Sequence, residues 1–216
     1  MDGLPDVLAW PFHFPTRYLE AAELIRKNVR TFATTSAGRL FDAAAALLGF
    51  TRETTFEGQA AMWLQQLAQR ADSMDAYSFP FDRSELDFRP LLARVMEDRR
   101  MGRAREEIAR AFQRGVANGV AQAVEELREE HAADTVVLSG GVFQNELLLA
   151  DLKERFLGSA IEIWTNHEVP ANDGGISLGQ AALAVFRAES TADAAGTMGA
   201  FANEKALSEC TNFRLR

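Results

Sequence analysis

"TVVLSGGVFQN" occupies residues 135–145. Its first half is a short β-branched apolar run, the pattern of a buried strand in a parallel sheet. Its second half is a glycine pair and a polar step into "NELLLADLKERFLG" (145–158), which reads as a helix. "AIEIWT" (160–165) is a second strand-like run, and a closing helix is expected from about Ile176 to Ala188. Strand, helix, strand, helix in that order predicts two parallel strands with a right-handed crossover.

Parallel strands place their carboxyl ends on one edge, where ligands bind in open sheets. The first strand runs into "SGGVFQN" (139–145) and the second into "TNHEVPANDGG" (165–175). Gly140 and Gly141 let backbone N–H groups approach an anion, and the positive end of the helix starting near Gln144 adds to this. Asn145 offers a donor and an acceptor, a set that suits the phosphate and sugar of a nucleotide. Gly174 and Gly175 repeat the arrangement. Asp173 stands at the mouth, where a carboxylate takes a hard cation or a hydroxyl. Plainer readings stand beside these: the glycine pair as a tight turn, Asp173 as an N-cap.

Two strands are too few for a stable parallel sheet. Either the proline-rich arm at residues 1–15 completes it, or a second chain, self-association or a missing segment does. The rest of the chain reads as helices. Thr16 opens one through about Asn28, and Thr34, Thr35 and Ser36 open "SAGRLFDAAAALLG", which closes at Gly49. Thr54 and Glu57 have capping-box spacing for a helix from Phe56 to Ala71. Residues 72–86 read as a polar loop with scattered aromatics. A helix follows Asp87, with Pro90 in its first turn. The longest helix runs from about Arg103 to His131, with one buried face at Ile108, Phe112, Val116, Val120 and Val124. Residues 188–216 read as a loosely structured tail.

The 216 residues are 47% hydrophobic and 25% charged, with net charge −8. That supports a packed core and argues against a nucleic-acid face. Arg99, Arg100, Arg103 and Arg105 lie beside Glu106 and Glu107 and read as a solvated helix end. The single Cys210 allows no disulfide framework, and no apolar run is long enough to span a bilayer. With no signal peptide evident, the reading is a soluble, cytoplasmic protein without membrane contact. No Walker or G-x-G-x-x-G loop is present. His13, His131 and His167 lack metal-ligand spacing. Ser139 does not sit in G-x-S-x-G.

Four stretches are more specific together: "TTSAGRLFDAAAALLGF" (34–50), "FEGQAAM" (56–62), "VVLSGGVFQNELLL" (136–149) and "VPANDGGISLGQAALA" (169–184). In this order they resemble the C-terminal part of the hydrogenase-maturation carbamoyltransferases of the HypF family. The resemblance runs from residue 34 to 187. It implies a helix-dominated α/β lobe, part of an actin-like ATPase (RNase H-like) fold related to the tRNA threonylcarbamoyl transferases. It also implies carbamoyl transfer from a carbamoyl-adenylate, made with ATP, to a C-terminal cysteine of a HypE-like partner. That group becomes a cyanide ligand of the [NiFe] centre. By position, Gly140, Gly141 and Asn145 look like the nucleotide loop, Asp173 like a divalent-metal ligand, and Asp42 and Gly58 like nucleoside contacts. Local readings remain for the last two: Asp42 lies off the apolar arc of its helix, and Gly58 eases packing of its own.

The departures matter too. The family's His-x-x-x-His motif and its Asp-Gly-Thr-Gly hairpin are absent, so the chain looks like the second lobe alone. Two functions follow: half of a carbamoyltransferase site completed by another chain, or a non-catalytic binding or assembly subunit derived from that lobe. Threonylcarbamoylation of tRNA is disfavoured by the charge and by "VFQN" and "NDGG".

Overall fold

The computed structural model describes residues 6–50, 53–196 and 214–215. Its helices and strands follow in chain order: α1 (Arg17–Arg26), α2 (Ala37–Leu47), α3 (Gln59–Ala68), β1 (Phe81–Asp82), β2 (Glu85–Leu86), α4 (Phe88–Arg100), α5 (Arg105–His131), β3 (Thr135–Leu138), α6 (Glu146–Arg155), β4 (Glu162–Thr165), α7 (Ile176–Gly196) and β5 (Arg214–Leu215). One-turn 3-10 helices at Gly141–Gln144 and Asp173–Gly175 lead into α6 and α7.

α5 is the axis. It packs against α3, α4, α6 and both strands of the β1–β2 hairpin. Ile108, Phe112 and Val116 are buried as the four-residue step predicts, but so are Ala109, Ala111, Ala117 and Ala121. Small residues on the flanks of the stripe let helices approach from two sides. Phe112 meets Phe41 of α2 edge to face, with ring centroids 5.3 Å apart and planes at 85°. A fully buried phenylalanine contributes about 1.5–3 kcal/mol.

Residues 76–80 cross α5 as an extended strap. Tyr77 N–H donates to the Ala111 carbonyl at 3.1 Å. The crossing needs glycine below it, because a Cβ at Gly115 would lie 2.5 Å from the Tyr77 carbonyl oxygen and one at Gly119 2.4 Å from that of Phe79. Beyond the strap, Phe81 pairs with Leu86 and Asp82 with Glu85 across a two-residue turn in which Arg83 and Ser84 both have positive φ. The hairpin corrects the loop expected over residues 72–86. β5 adds to β2 in parallel.

A buried ion cluster pins α4, α5 and the strap together. The Asp98 carboxylate accepts from the Tyr77 hydroxyl at 2.6 Å and pairs with Arg103 at 2.9 Å and Arg94 at 3.0 Å. Burial pushes the Asp98 carboxyl up, but Tyr77, Arg103 and Arg94 outweigh it and hold the group below the usual carboxylate range. Arg103 also reaches Asp75 and Glu107, and Arg99 donates to the Pro11 carbonyl. The arginines at 99 and 103 are therefore structural, contrary to the solvated helix end expected. Charge patterning along one helix does not reveal partners from distant segments.

The capping box at Thr54 and Glu57 does not form. α3 starts at Gln59, after Gly58 in the left-handed region at φ +80°, and Thr55 N–H donates to the Gln59 side chain. The arm is also corrected as a source of missing strands. Its described part, residues 6–15, contains no strand and instead buries Phe12 in the core. α7 continues past Ala188 to Gly196. Residues 197–213 and 216 of the expected tail, Cys210 among them, lie outside the described residues.

β3 and β4 are parallel, with Thr135 opposite Glu162 and Leu138 opposite Thr165. One face, with Val136, Leu138 and Ile163, packs on the core formed with α5 and α6. α6 is clamped to α5 by Arg110, which meets both Asp151 carboxylate oxygens at 2.5 and 2.7 Å. The other face is open: Val137 is 65% and Trp164 55% exposed. Every residue of α7 from Ile176 to Arg187 is exposed, including Leu178, Leu183 and Val185. A parallel sheet ordinarily has both faces covered, and this one is covered on one. No helix among the described residues is long and apolar enough to cross a membrane.

Candidate functional site

The parallel register brings both glycine-rich loops to one edge. Gly140 N–H donates to the Ala171 carbonyl at 2.8 Å, and a Cβ on Gly141 would lie 4.0 Å from the Asn172 Cβ. Gly140 needs to be glycine for its backbone, at φ +106°, since nothing lies within 4 Å of a Cβ there. Gly141 is exposed and begins the 3-10 turn, and its N–H has no acceptor among the described residues. Open space at Gly140 and this free donor are what an anion or sugar approaching the loop requires.

Asn145 sits behind the loop and is 9% exposed. Its Oδ1 accepts from Leu148 N–H and caps α6, while its Nδ2 donates to Gln113 Oε1 of α5 at 3.1 Å. Both polar atoms are thus engaged within the fold. At the helix end expected to face the loop, this cap takes up the Leu148 N–H, and the 3-10 turn lies between the glycines and α6. Sequence reasoning passed over Gln113. The available signal was an amide within the apolar stretch of α5, next to Phe112.

In the second loop the cap is Asn172 and not Asp173. Asn172 Oδ1 accepts from Gly174 N–H at 3.0 Å. Gly175 is packed too tightly for a side chain, its Cβ position 2.6 Å from the Pro170 carbonyl oxygen. Asp173 is exposed, and no hydrogen bond or ion pair engages its carboxylate among the described residues. That removes the N-cap reading and leaves a carboxylate available to a ligand. It is one ligand only, because the described residues contain no group of three or more His, Cys, Asp or Glu able to hold a metal. Among the described residues the metal site is therefore not complete.

Asp42 and Gly58 belong to the helical half. α2, which carries Asp42, lies against the Gly141–Gln144 turn. Asp42 is 28% exposed and pairs with Arg39 one turn earlier at 3.0 Å, so it is neither buried nor wholly solvated. Arg39 also reaches toward Glu57, beside Gly58. No Cβ contact constrains Gly58, so its backbone conformation and not packing requires glycine. A shallow groove of about 450 Å³ runs beside the two loops, lined by Phe143, Gln144, Glu146, Leu149 and residues 166–171. It brings His167 to the same edge, with its ring 3.4 Å from the Thr165 hydroxyl.

Comparison with known proteins places this geometry. Residues 6–180 match the family described as "Carbamoyltransferase, Kae1-like Domain, second subdomain". The carbamoyltransferase HypF of Rhodobacter capsulatus is 37% identical over 87% of this chain and 24% of its own length. That of Rhizobium leguminosarum bv. viciae is 35% identical over 81% and 22%. A crystal structure of full-length HypF in the phosphate- and nucleotide-bound form aligns with a TM-score of 0.71 and 38% identity, over 79% of this chain and 23% of that one. The chain spans about a quarter of the length of these relatives. It belongs to the family of HypF carbamoyltransferases, as the second subdomain of their Kae1-like domain.

Proposed function

We propose that this lobe binds an adenine nucleotide, a carbamoyl-adenylate formed with ATP, across its two glycine-rich loops. It thereby contributes to carbamoyl transfer to the C-terminal cysteine of a HypE-like protein during [NiFe]-hydrogenase maturation. The observation that carries this reading is the joined loop edge. Gly140, Gly141 and the 171–175 loop meet beyond the ends of two parallel strands, in a family with a nucleotide-bound HypF relative. Gly141 N–H supplies a donor for phosphate. Asn145 supports the loop from behind, and Asp42 and Gly58 form the opposite wall toward the nucleoside.

The site is completed from outside this chain. Asp173 is the ligand that the described residues offer to a divalent metal. The open sheet face at Val137 and Trp164, together with α7, is the surface that receives the first subdomain. Titrating ATP by calorimetry into this chain mixed with the first subdomain of a HypF relative tests the proposal. Saturable heat that Gly140→Val removes is expected. No binding in any combination would overturn it. In the same complex, Asp173→Asn is expected to lower bound metal and transfer rate together; unchanged metal content would refute the ligand role.

The exposed apolar face favours a second reading, a non-catalytic binding or assembly subunit that pairs this face with another protein or with itself. Light scattering reads complex formation, and a stable isolated monomer would count against this reading. A complex that forms but neither binds nucleotide nor transfers carbamoyl supports assembly alone.

A further inference from the structure

We propose that Gln113, in the middle of α5, is a positioning residue that sets the conformation of the Gly140–Asn145 loop through the Asn145 side chain. The argument begins with the backbone. Leu148 N–H is one of the first donors of α6 and has no partner within its helix. Asn145 Oδ1 supplies one at 3.0 Å, which fixes the rotation of the amide. The Nδ2 group must then point toward α5, where only an acceptor will do. Gln113 is fully buried, and its Oε1 accepts that bond at 3.1 Å. This in turn fixes the Gln113 amide, leaving its Nε2 buried without a partner among the described residues. An orphaned buried donor is destabilising. An apolar residue of similar length at 113 would avoid it, but would strand Asn145 Nδ2.

The chain of constraint runs from the core helix to the loop. Gln113 holds Asn145, and Asn145 ends the 3-10 turn that starts at Gly141. A rotated Asn145 would free Leu148 N–H and let the turn unwind, which moves the Gly141 N–H away from its ligand. Gln113 touches no ligand in this scheme; it acts at one remove. The proposal rests on the nucleotide reading only for what the loop binds, and not for the hold on the loop itself.

The test is a double-mutant cycle in the full chain. Gln113→Met keeps side-chain length and removes the acceptor. Asn145→Ser keeps an oxygen to cap α6 and removes the donor aimed at residue 113. Amide hydrogen exchange is followed by NMR at Gly140 to Leu148, with Leu64 and Ala68 of α3 as internal controls, and ATP is titrated against the Gly140 and Gly141 resonances. Gln113→Met is expected to speed loop exchange and weaken ATP by about tenfold each, leaving α3 unchanged. The double variant is expected to be no worse than Asn145→Ser alone, because both changes break one link. Additive effects, or loop exchange unchanged in Gln113→Met, would overturn the proposal. If exchange is coupled but ATP shifts no loop resonance, in the chain alone or with a first subdomain added, the nucleotide reading fails and the hold of Gln113 on the loop stands.

Discussion

The helical half, α2 to α5, and the strand half, β3 to α7, obey different rules. In the first, Phe41, Leu64, Leu91 and Phe112 are at most 1% exposed, and an ion cluster links three segments. In the second, a two-stranded sheet is covered on one face, and α7 exposes every described side chain. The helical half packs around α5, which α6 of the strand half also covers. The strand half carries the loops and leaves apolar side chains exposed. The lobe thus separates what holds it together from what it presents.

Substitutions can break or sharpen that contrast. Gly119→Val should have the largest effect, since its side chain would strike the Phe79 backbone; a loss of about 3–5 kcal/mol and a drop in Tm of roughly 10 °C is expected by thermal denaturation. Asp98→Asn should cost about 2–3 kcal/mol by breaking a buried charged network. The same carboxyl gives a pH signature. Its folded pKa is depressed, so its stabilisation is complete above about pH 5 and disappears as pH falls through the folded value. Denaturant melts of the wild type should weaken on acidification, and those of Asp98→Asn should do so less steeply. Asp151→Asn, at the joint between the halves, should cost about 1–3 kcal/mol, read by urea unfolding. Smallest of all, Trp164→Ser should change stability by less than about 0.5 kcal/mol. Sedimentation should nonetheless reveal weaker association through the open face. A large destabilisation there would mean that the face is already covered within the chain.

Much of this architecture was legible because periodicity is local. The parallel strands, α6, and the long α5 follow from runs of apolar residues that need no distant partner to be recognised. The strap and hairpin were missed although Tyr77, Phe79 and Phe81 alternate, each buried; three aromatics among polar residues looked like a loop. What makes them an element is Gly115 and Gly119, more than thirty residues away. At the site, the shared edge was predictable from strand direction, whereas the roles within each loop were not. Asn172 and Asp173 are both sound caps by type, and only the 3-10 turn selects Asn172. Asn145 offered a donor and an acceptor by type, but their partner in the fold, Gln113, lies across a helix interface that no spacing reveals.

The bond from Gly140 to Ala171 has a consequence for signalling between ligands. Two loops that share a hydrogen bond do not respond independently. If a molecule that tightens the first alters the conformational freedom of the second through this bond, the reverse holds to the same extent. Occupancy beside Gly140 would therefore be felt at Asp173 without any movement of the core. One amide, followed by its exchange rate, would register both events.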